Sequence, residues 1–245
     1  MTMDFNSVAD DFYVNLNIQT TLALSNGRET VLHFFEALQK QFGPMRNFFQ
    51  REGGEFVLEA DRSSGSYRWL ELGKHQLSSG FFNPPDLAGA YELHRWVLER
   101  SVYYLGVSGL DVESLDVVFG FNLEFLGNRD ELVARALLGG SPPAALAGEP
   151  DARMIDYQPS MIVALDEQCS LQARLAVETR NSTYQVRTGQ WEDEPISVYF
   201  TIRRHPGASA APNLVKMFAE QCDIAEDLCR RIVIPQVVQP IAAAQ

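Results

Sequence analysis

Cysteine is scarce in this chain: three among 245 residues, Cys169, Cys222 and Cys229. An odd number without CxxC spacing excludes a disulfide framework and a zinc knuckle. Cys222 and Cys229 are seven apart on a helical pattern, so they share a face and are expected as small buried hydrophobes. Histidine is sparse too. His33, His75, His94 and His205 are scattered, and the i, i+4 pair Glu29/His33 has no second ligand pair, so no metal site is indicated. Positive charge is in deficit: 20 Lys and Arg against 32 Asp and Glu give a net charge of −12. The deficit is shared, with 9 basic and 13 acidic groups over 1–110 and 11 and 19 over 111–245. No segment therefore offers a cationic surface for a phosphate backbone, and nucleic acid is not an expected partner. No apolar run reaches membrane-span length. The opening MTMDFNSVADDFYV lacks the basic and apolar regions of a signal peptide, so a cytoplasmic protein is expected. With 46% hydrophobic and 21% charged residues, the composition is globular rather than disordered.

Motifs for the commoner chemistries are missing as well. Gly73-Lys74 has neither the upstream glycine nor the hydroxyl of a phosphate-binding loop. Gly106-Val107-Ser108-Gly109 is one residue short of a nucleophile elbow, and neither HExxH nor a strand-following GxGxxG occurs. No cofactor, metal or catalytic residue is indicated, and His94 reads as a satisfied histidine on an amphipathic helix.

What is present is a duplication. Residues 14–24, VNLNIQTTLAL, alternate apolar Val14, Leu16, Ile18, Leu22 and Leu24 with polar Asn15, Asn17, Gln19 and Thr21. Period two marks a strand with one buried face. Residues 115–125, LDVVFGFNLEF, show the same alternation 101 positions later. Ser25-Asn26-Gly27-Arg28-Glu29 then lines up with Leu126-Gly127-Asn128-Arg129-Asp130, each a turn leading into a helix, over 28–41 and 129–138. Strands are expected over 55–61, 67–72 and 75–79 in the first unit and over 160–165, 171–179 and 196–203 in the second. Helices over 85–104 and 212–232 close the units. The expected fold is α+β: two tandem βαβββα units, 11–110 and 111–234, forming curved antiparallel sheet with helices on one face. Residues 1–10 are expected to be frayed, and 139–152 and 205–212 to be loops. In the tail 235–245, Pro235 and Pro240 are expected to end or kink the last helix near Ile234.

This element order resembles the duplicated TATA-binding-protein-like or helix-grip class, and also an uncharacterised bacterial family with a two-half α+β layout. The resemblance implies antiparallel strands curving around helices. A DNA-binding member would need a basic sheet face, which this acidic chain departs from, and no catalytic residue carries over.

If the apolar strand positions face the helices, the alternate positions share the other face. There Asn15, Asn17, Gln19, Asn122, Glu124, Gln172, Arg174, Glu178, Tyr199 and Arg203 come together. Asn, Gln and Arg can each donate several hydrogen bonds. Asn15, Asn17, Gln19, Asn122, Glu124, Arg174, Tyr199 and Arg203 are the candidate binding residues. The expected function is a non-catalytic binding or assembly protein whose partner is an unknown protein or small molecule. The alternative is a helix-grip isomerase or hydrolase working from a pocket carboxylate and tyrosines. The aliphatic tail (Ile232, Val233, Ile234, Val237, Val238, Ile241) must either fold back or dock, most simply in a homodimer.

Overall fold

The computed structural model describes residues 5–207 and 212–245. One open, curved sheet of nine antiparallel strands runs through the molecule in the order β2-β3-β4-β5-β1-β6-β9-β8-β7. The strands are β1 (Asp11–Thr20), β2 (Asn47–Gln50), β3 (Phe56–Glu59), β4 (Tyr67–Leu72), β5 (Gln76–Phe82), β6 (Val112–Leu123), β7 (Ser160–Ala164), β8 (Leu171–Glu178) and β9 (Ile196–Arg204). The helices are α1 (Arg28–Gln41), α2 (Leu87–Tyr104), α3 (Arg129–Leu137), α4 (Ala144–Ala147), α5 (Thr183–Thr188), α6 (Leu214–Leu228) and α7 (Gln239–Ala243). The main helices pack on one face, and the other face of the sheet is left open.

The strand register carries the duplication. Leu16 pairs with Val117 across the β1–β6 seam, and these are the very residues related by the 101-residue offset. A pseudo-twofold axis therefore passes through this pair. Outward from it run two matching rows, Leu16–Ser79–Leu70–Leu58 and Val117–Ile202–Ala173–Val163. Every member of these rows except Val163 is buried, which fixes the helix-facing phase. Phe12, Val14, Leu16 and Ile18 of β1 meet Leu115, Val117, Phe119 and Phe121 of β6 in one core that belongs to both halves. The closing helices obey the same symmetry. His94 on α2 reaches the backbone oxygen of Val14 through Nε2 and Ser79 Oγ through Nδ1. Gln221 on α6 donates to the oxygens of Leu115 and Ile202, the symmetry mates of Val14 and Ser79.

Several expectations need correction. The first unit has four strands after β1's helix, not three, because β2 was not foreseen. The strand expected over 75–79 runs on to Phe82. β1 stops at Thr20, and Leu22, expected inside, is 65% exposed. Residues 5–10 are not frayed: Phe5 is buried and stacks on Phe12 at 5.2 Å. Of the end or kink expected near Ile234, the end is not found. The last helix loosens into a π-helical stretch from Cys229 to Val238 that spans Pro235, and continues as α7. Pro235 has no N–H to place in an α-helical ladder and would clash with the carbonyl four residues back, and the wider π turn relieves both. The tail folds back on its own domain: Val233, Ile234, Val237, Val238 and Ile241 are all buried. That removes the reason for docking through the tail. Of the loop expected over 205–212, residues 208–211 lie outside the described residues.

Candidate functional site

The open face is built from the alternate strand positions, and the register orders them in rows. One row reads Tyr67–Phe82–Tyr13–Gly120–Tyr199. Its rings touch in sequence: Tyr67 on Phe82 at 5.1 Å, Phe82 on Tyr13 at 5.9 Å, Tyr13 against Tyr199 at 6.3 Å. Gly120 makes this ladder continuous, since any Cβ there would sit 2.1 Å from the Tyr13 ring. Burial, and then the neighbouring Tyr199, push the Tyr13 phenol well above its ordinary value, so it stays protonated.

The two rows below it diverge between the halves. Toward the first half they read Asn15–Gly80–Trp69–Glu59 and Asn17–Ser78–Glu71–Val57. Toward the second they read Val118–Thr201–Arg174–Ile162 and Asp116–Arg203–Gln172–Ala164. In the first half the Trp69 indole lies over Gly80, so close that a Cβ there would be 2.3 Å from it. The second half has no such plug, and a recess of about 330 Å³ opens over its strands. Asn15, Asn17, Asp116, Arg174, Tyr199 and Arg203 line it, with Val118, Ile162, Gln172, Glu178 and Thr201.

Its charges are arranged in a definite way. Arg203 grips Asp116 with two parallel hydrogen bonds, Nε to Oδ1 at 2.8 Å and Nη2 to Oδ2 at 2.6 Å. That pairing holds the Arg203 guanidinium above its ordinary value. Behind the recess, Arg180 donates to Glu178 at 3.3 Å, to the Tyr199 hydroxyl at 2.8 Å, to Ser197 Oγ at 2.9 Å and to the Pro195 carbonyl at 3.1 Å. Arg174 differs: among the described residues its guanidinium makes no hydrogen bond or ion pair. Asn15 Oδ1 is buried without a hydrogen-bond partner. Three guanidinia (Arg174, Arg180, Arg203) face two carboxylates (Asp116, Glu178), an excess of one positive charge in a chain of −12.

Five of the eight candidate residues, Asn15, Asn17, Arg174, Tyr199 and Arg203, meet in this recess. The other three do not. Gln19 lies farther along β1, opposite Gln76 and Ser114. Asn122 accepts a hydrogen bond from Ser197 Oγ at 2.8 Å beyond the aromatic row. Glu124 lies past the end of β6, its backbone N–H bound by Asp10. Asp116, Val118, Ile162 and Thr201 were not foreseen, although Asp116 is a charged residue inside β6 that shares the phase of Asn122.

No protein-family model matches the chain, and no curated protein is similar to it. Among solved structures, the di-domain ARO/CYC BexL from the BE-7585A biosynthetic pathway aligns over 95% of this chain and 99% of that one, at 8% identity and a TM-score of 0.21. A likeness of that size carries no argument about fold or function. Among the described residues no group of three or more metal-ligating side chains occurs, and no helix is long and apolar enough to cross a membrane.

Proposed function

We propose that the chain is a non-catalytic binding protein that holds a small polar anion in the recess on the open face of the second half. The observation that supports this is Arg174. It lines the recess with an uncommitted guanidinium while its neighbours Arg180 and Arg203 are tied to carboxylates. A free guanidinium at a locally positive site suits a carboxylate or phosphate, which it can bind with two parallel hydrogen bonds. Asn15, Asn17 and Thr201 add donors and acceptors that would orient the rest of the molecule. A volume of 330 Å³ is at the small end for a ligand site, so the ligand is a compact metabolite rather than a macromolecule. The central pairing of the halves' first strands, with helices on one side only, fits the duplicated TATA-binding-protein-like arrangement better than a sheet gripping a single helix. The mixed charge of the open face fits a small ligand better than a nucleic acid.

Titration calorimetry of the full chain with citrate, glutamate and inorganic phosphate tests the reading. Saturable binding of at least one anion is expected, weakened about ten-fold in Arg174→Gln, the loss of one charge-assisted contact. Equal binding by the wild type and Arg174→Gln would overturn it. Chemical conversion of the bound anion would move the reading to the enzyme alternative, with Tyr199 and Asp116 as the groups at hand.

A further inference from the structure

We propose that the free edge of β7 is a self-association surface through which two copies of this chain join their sheets about a two-fold axis. β7 spends one side of its backbone on β8: Val177 N–H donates to the Pro159 oxygen and Leu165 N–H to the Leu171 oxygen, with Met161 and Val163 opposite Leu175 and Ala173. By the alternation of an antiparallel ladder, the N–H and C=O groups of Ser160, Ile162 and Ala164 then point outward. The strand reads SMIVA, without a proline, a charge or a register shift. Those are the devices by which proteins blunt an open edge, and none is used here. All five residues are exposed, Met161 at 56% and Ile162 at 59%.

The first half shows what belongs at this position. Val57, the symmetry mate of Ile162, is 1% exposed, and its strand β3 is flanked by β2. The second half has no strand there; its longer connection, residues 138–159, forms α4 and coil instead. The missing strand is best supplied by β7 of a second copy, because the segment is complementary to itself. With Ile162 on the axis, Met161 faces the partner's Val163 and Ser160 faces the partner's Ala164. Beyond the strand, Gln158 meets the partner's Asp166 and Tyr157 the partner's Glu167, so no two carboxylates oppose one another. A slide of two residues instead sets Asp156 against the partner's Asp166, a like-charge pair that disfavours it. β2 of a second copy is a poorer occupant. It is one residue shorter, its flanking arginines are committed (Arg46 to the Gly43 carbonyl, Arg51 to Glu71), and head-to-tail joining leaves a free β2 and a free β7 on every pair, so it builds rings or filaments and not a closed dimer.

Sedimentation of the full chain from low to high micromolar concentration is the test. The expected species is two copies, twice 27.5 kDa. Ile162→Pro removes an outward N–H while sparing the bonds to β8, and Met161→Lys adds a charge on the face away from the ligand recess. Each is expected to weaken the dimer by at least about ten-fold, with circular dichroism unchanged and melting unchanged at concentrations low enough that the wild type is monomeric. Phe49→Lys on β2 is expected to leave it intact. A chain that stays monomeric at every concentration overturns the proposal. So does a dimer indifferent to both β7 variants, or a growing polymer that Phe49→Lys abolishes. Because Met161 does not line the recess and points to the opposite face of the sheet, its variant separates this surface from the ligand-binding reading.

Discussion

The two halves share a core and a topology but spend their open faces differently. In the first half, Gly80 and Trp69 occupy the positions that Arg203 and Gln172 hold in the second. The indole over the glycine fills with carbon what the second half leaves as a polar hollow. At the margin, β2 covers β3 while β7 stands uncovered. The helix starts differ as well: Arg28 is exposed, but its mate Arg129 is fully buried. Arg129 donates to the carbonyls of Thr179, Glu192 and Glu194 at 2.7–2.9 Å. Beside it, Asp130 accepts from the Thr179 hydroxyl and from Tyr157 N–H. The lesson is that the halves keep in common the burial of the central helix-facing positions, not the residues there, and diverge most where a side chain faces outward or ends an element. In one half an indole closes the open face of the sheet, and in the other that face keeps a polar recess.

That comparison can be broken at its strongest point first. Phe119 is fully buried at the shared seam, in contact with the rings of Phe5 and Phe12. Truncation to Ala is expected to cost about 3–5 kcal/mol in urea unfolding, as a single cooperative transition of both halves. A loss under about 1 kcal/mol, or two separate transitions, would contradict a common core.

Next comes the arginine pair. Arg129→Ala leaves the carbonyls of Thr179, Glu192 and Glu194 without their donor and empties a fully buried site, so a loss of about 2–4 kcal/mol is expected. Arg28→Ala, on the surface, is expected within about 0.5 kcal/mol of wild type. Comparable losses would mean that the two helix starts are not as unlike as the structure has them.

The plug is the third test. Gly80→Ala pushes a methyl into the Trp69 indole and Asn15, with an expected cost of about 1–3 kcal/mol. Its mate Arg203→Ala should cost no more than about 1 kcal/mol, because the Arg203 side chain is 42% exposed and its pair with Asp116 lies at the recess. The reverse order of effects would show that the recess, not the plug, is the structural element.

How much of this could be read from the chain follows from the same division. The duplication was legible because Leu115, Val117, Phe119 and Phe121 alternate without a break, and the 101-residue offset reappears as the Leu16–Val117 pair. β2 was not legible: NFFQ is four residues with no alternation, and it forms because α1 and β3 bracket it, with Phe48 edge-on to Phe35 and stacked on Phe56. β5 was read as ending at Ser79 because Gly80 reads as a break, although Ser78, Ser79 and Gly80 are all buried. They are small because Trp69 and His94 need the room. Seven recess residues, Asn15, Asn17, Gln172, Arg174, Glu178, Tyr199 and Arg203, followed from strand phase alone. The contrast between the halves did not, since it depends on Trp69 folding across to β5, a contact between residues whose phase the hairpin sequence leaves open.

The last expected effect appears only on acidification and concerns the two buried polar side chains of the closing helices. His94 and Gln221 satisfy symmetry-related carbonyls, but only His94 titrates. Burial presses its imidazole down to about 3 from an ordinary 6.5, so it is neutral, with Nε2–H donating to the Val14 oxygen and Nδ1 accepting from Ser79. Between those two values the unfolded chain binds a proton that the folded chain refuses. The contribution to stability is therefore complete above about pH 6.5 and is lost as the pH falls toward 3, by up to about 1.4 kcal/mol per pH unit. His94→Gln makes the first half chemically like the second and removes this proton linkage. Measured in urea at pH 7 and pH 4.5, the wild type is expected to lose about 2–3 kcal/mol more than His94→Gln does. Equal losses in the two proteins would show that His94 does not set the acid limit of this fold, and that the two helices are joined to the sheet in electrostatically equivalent ways.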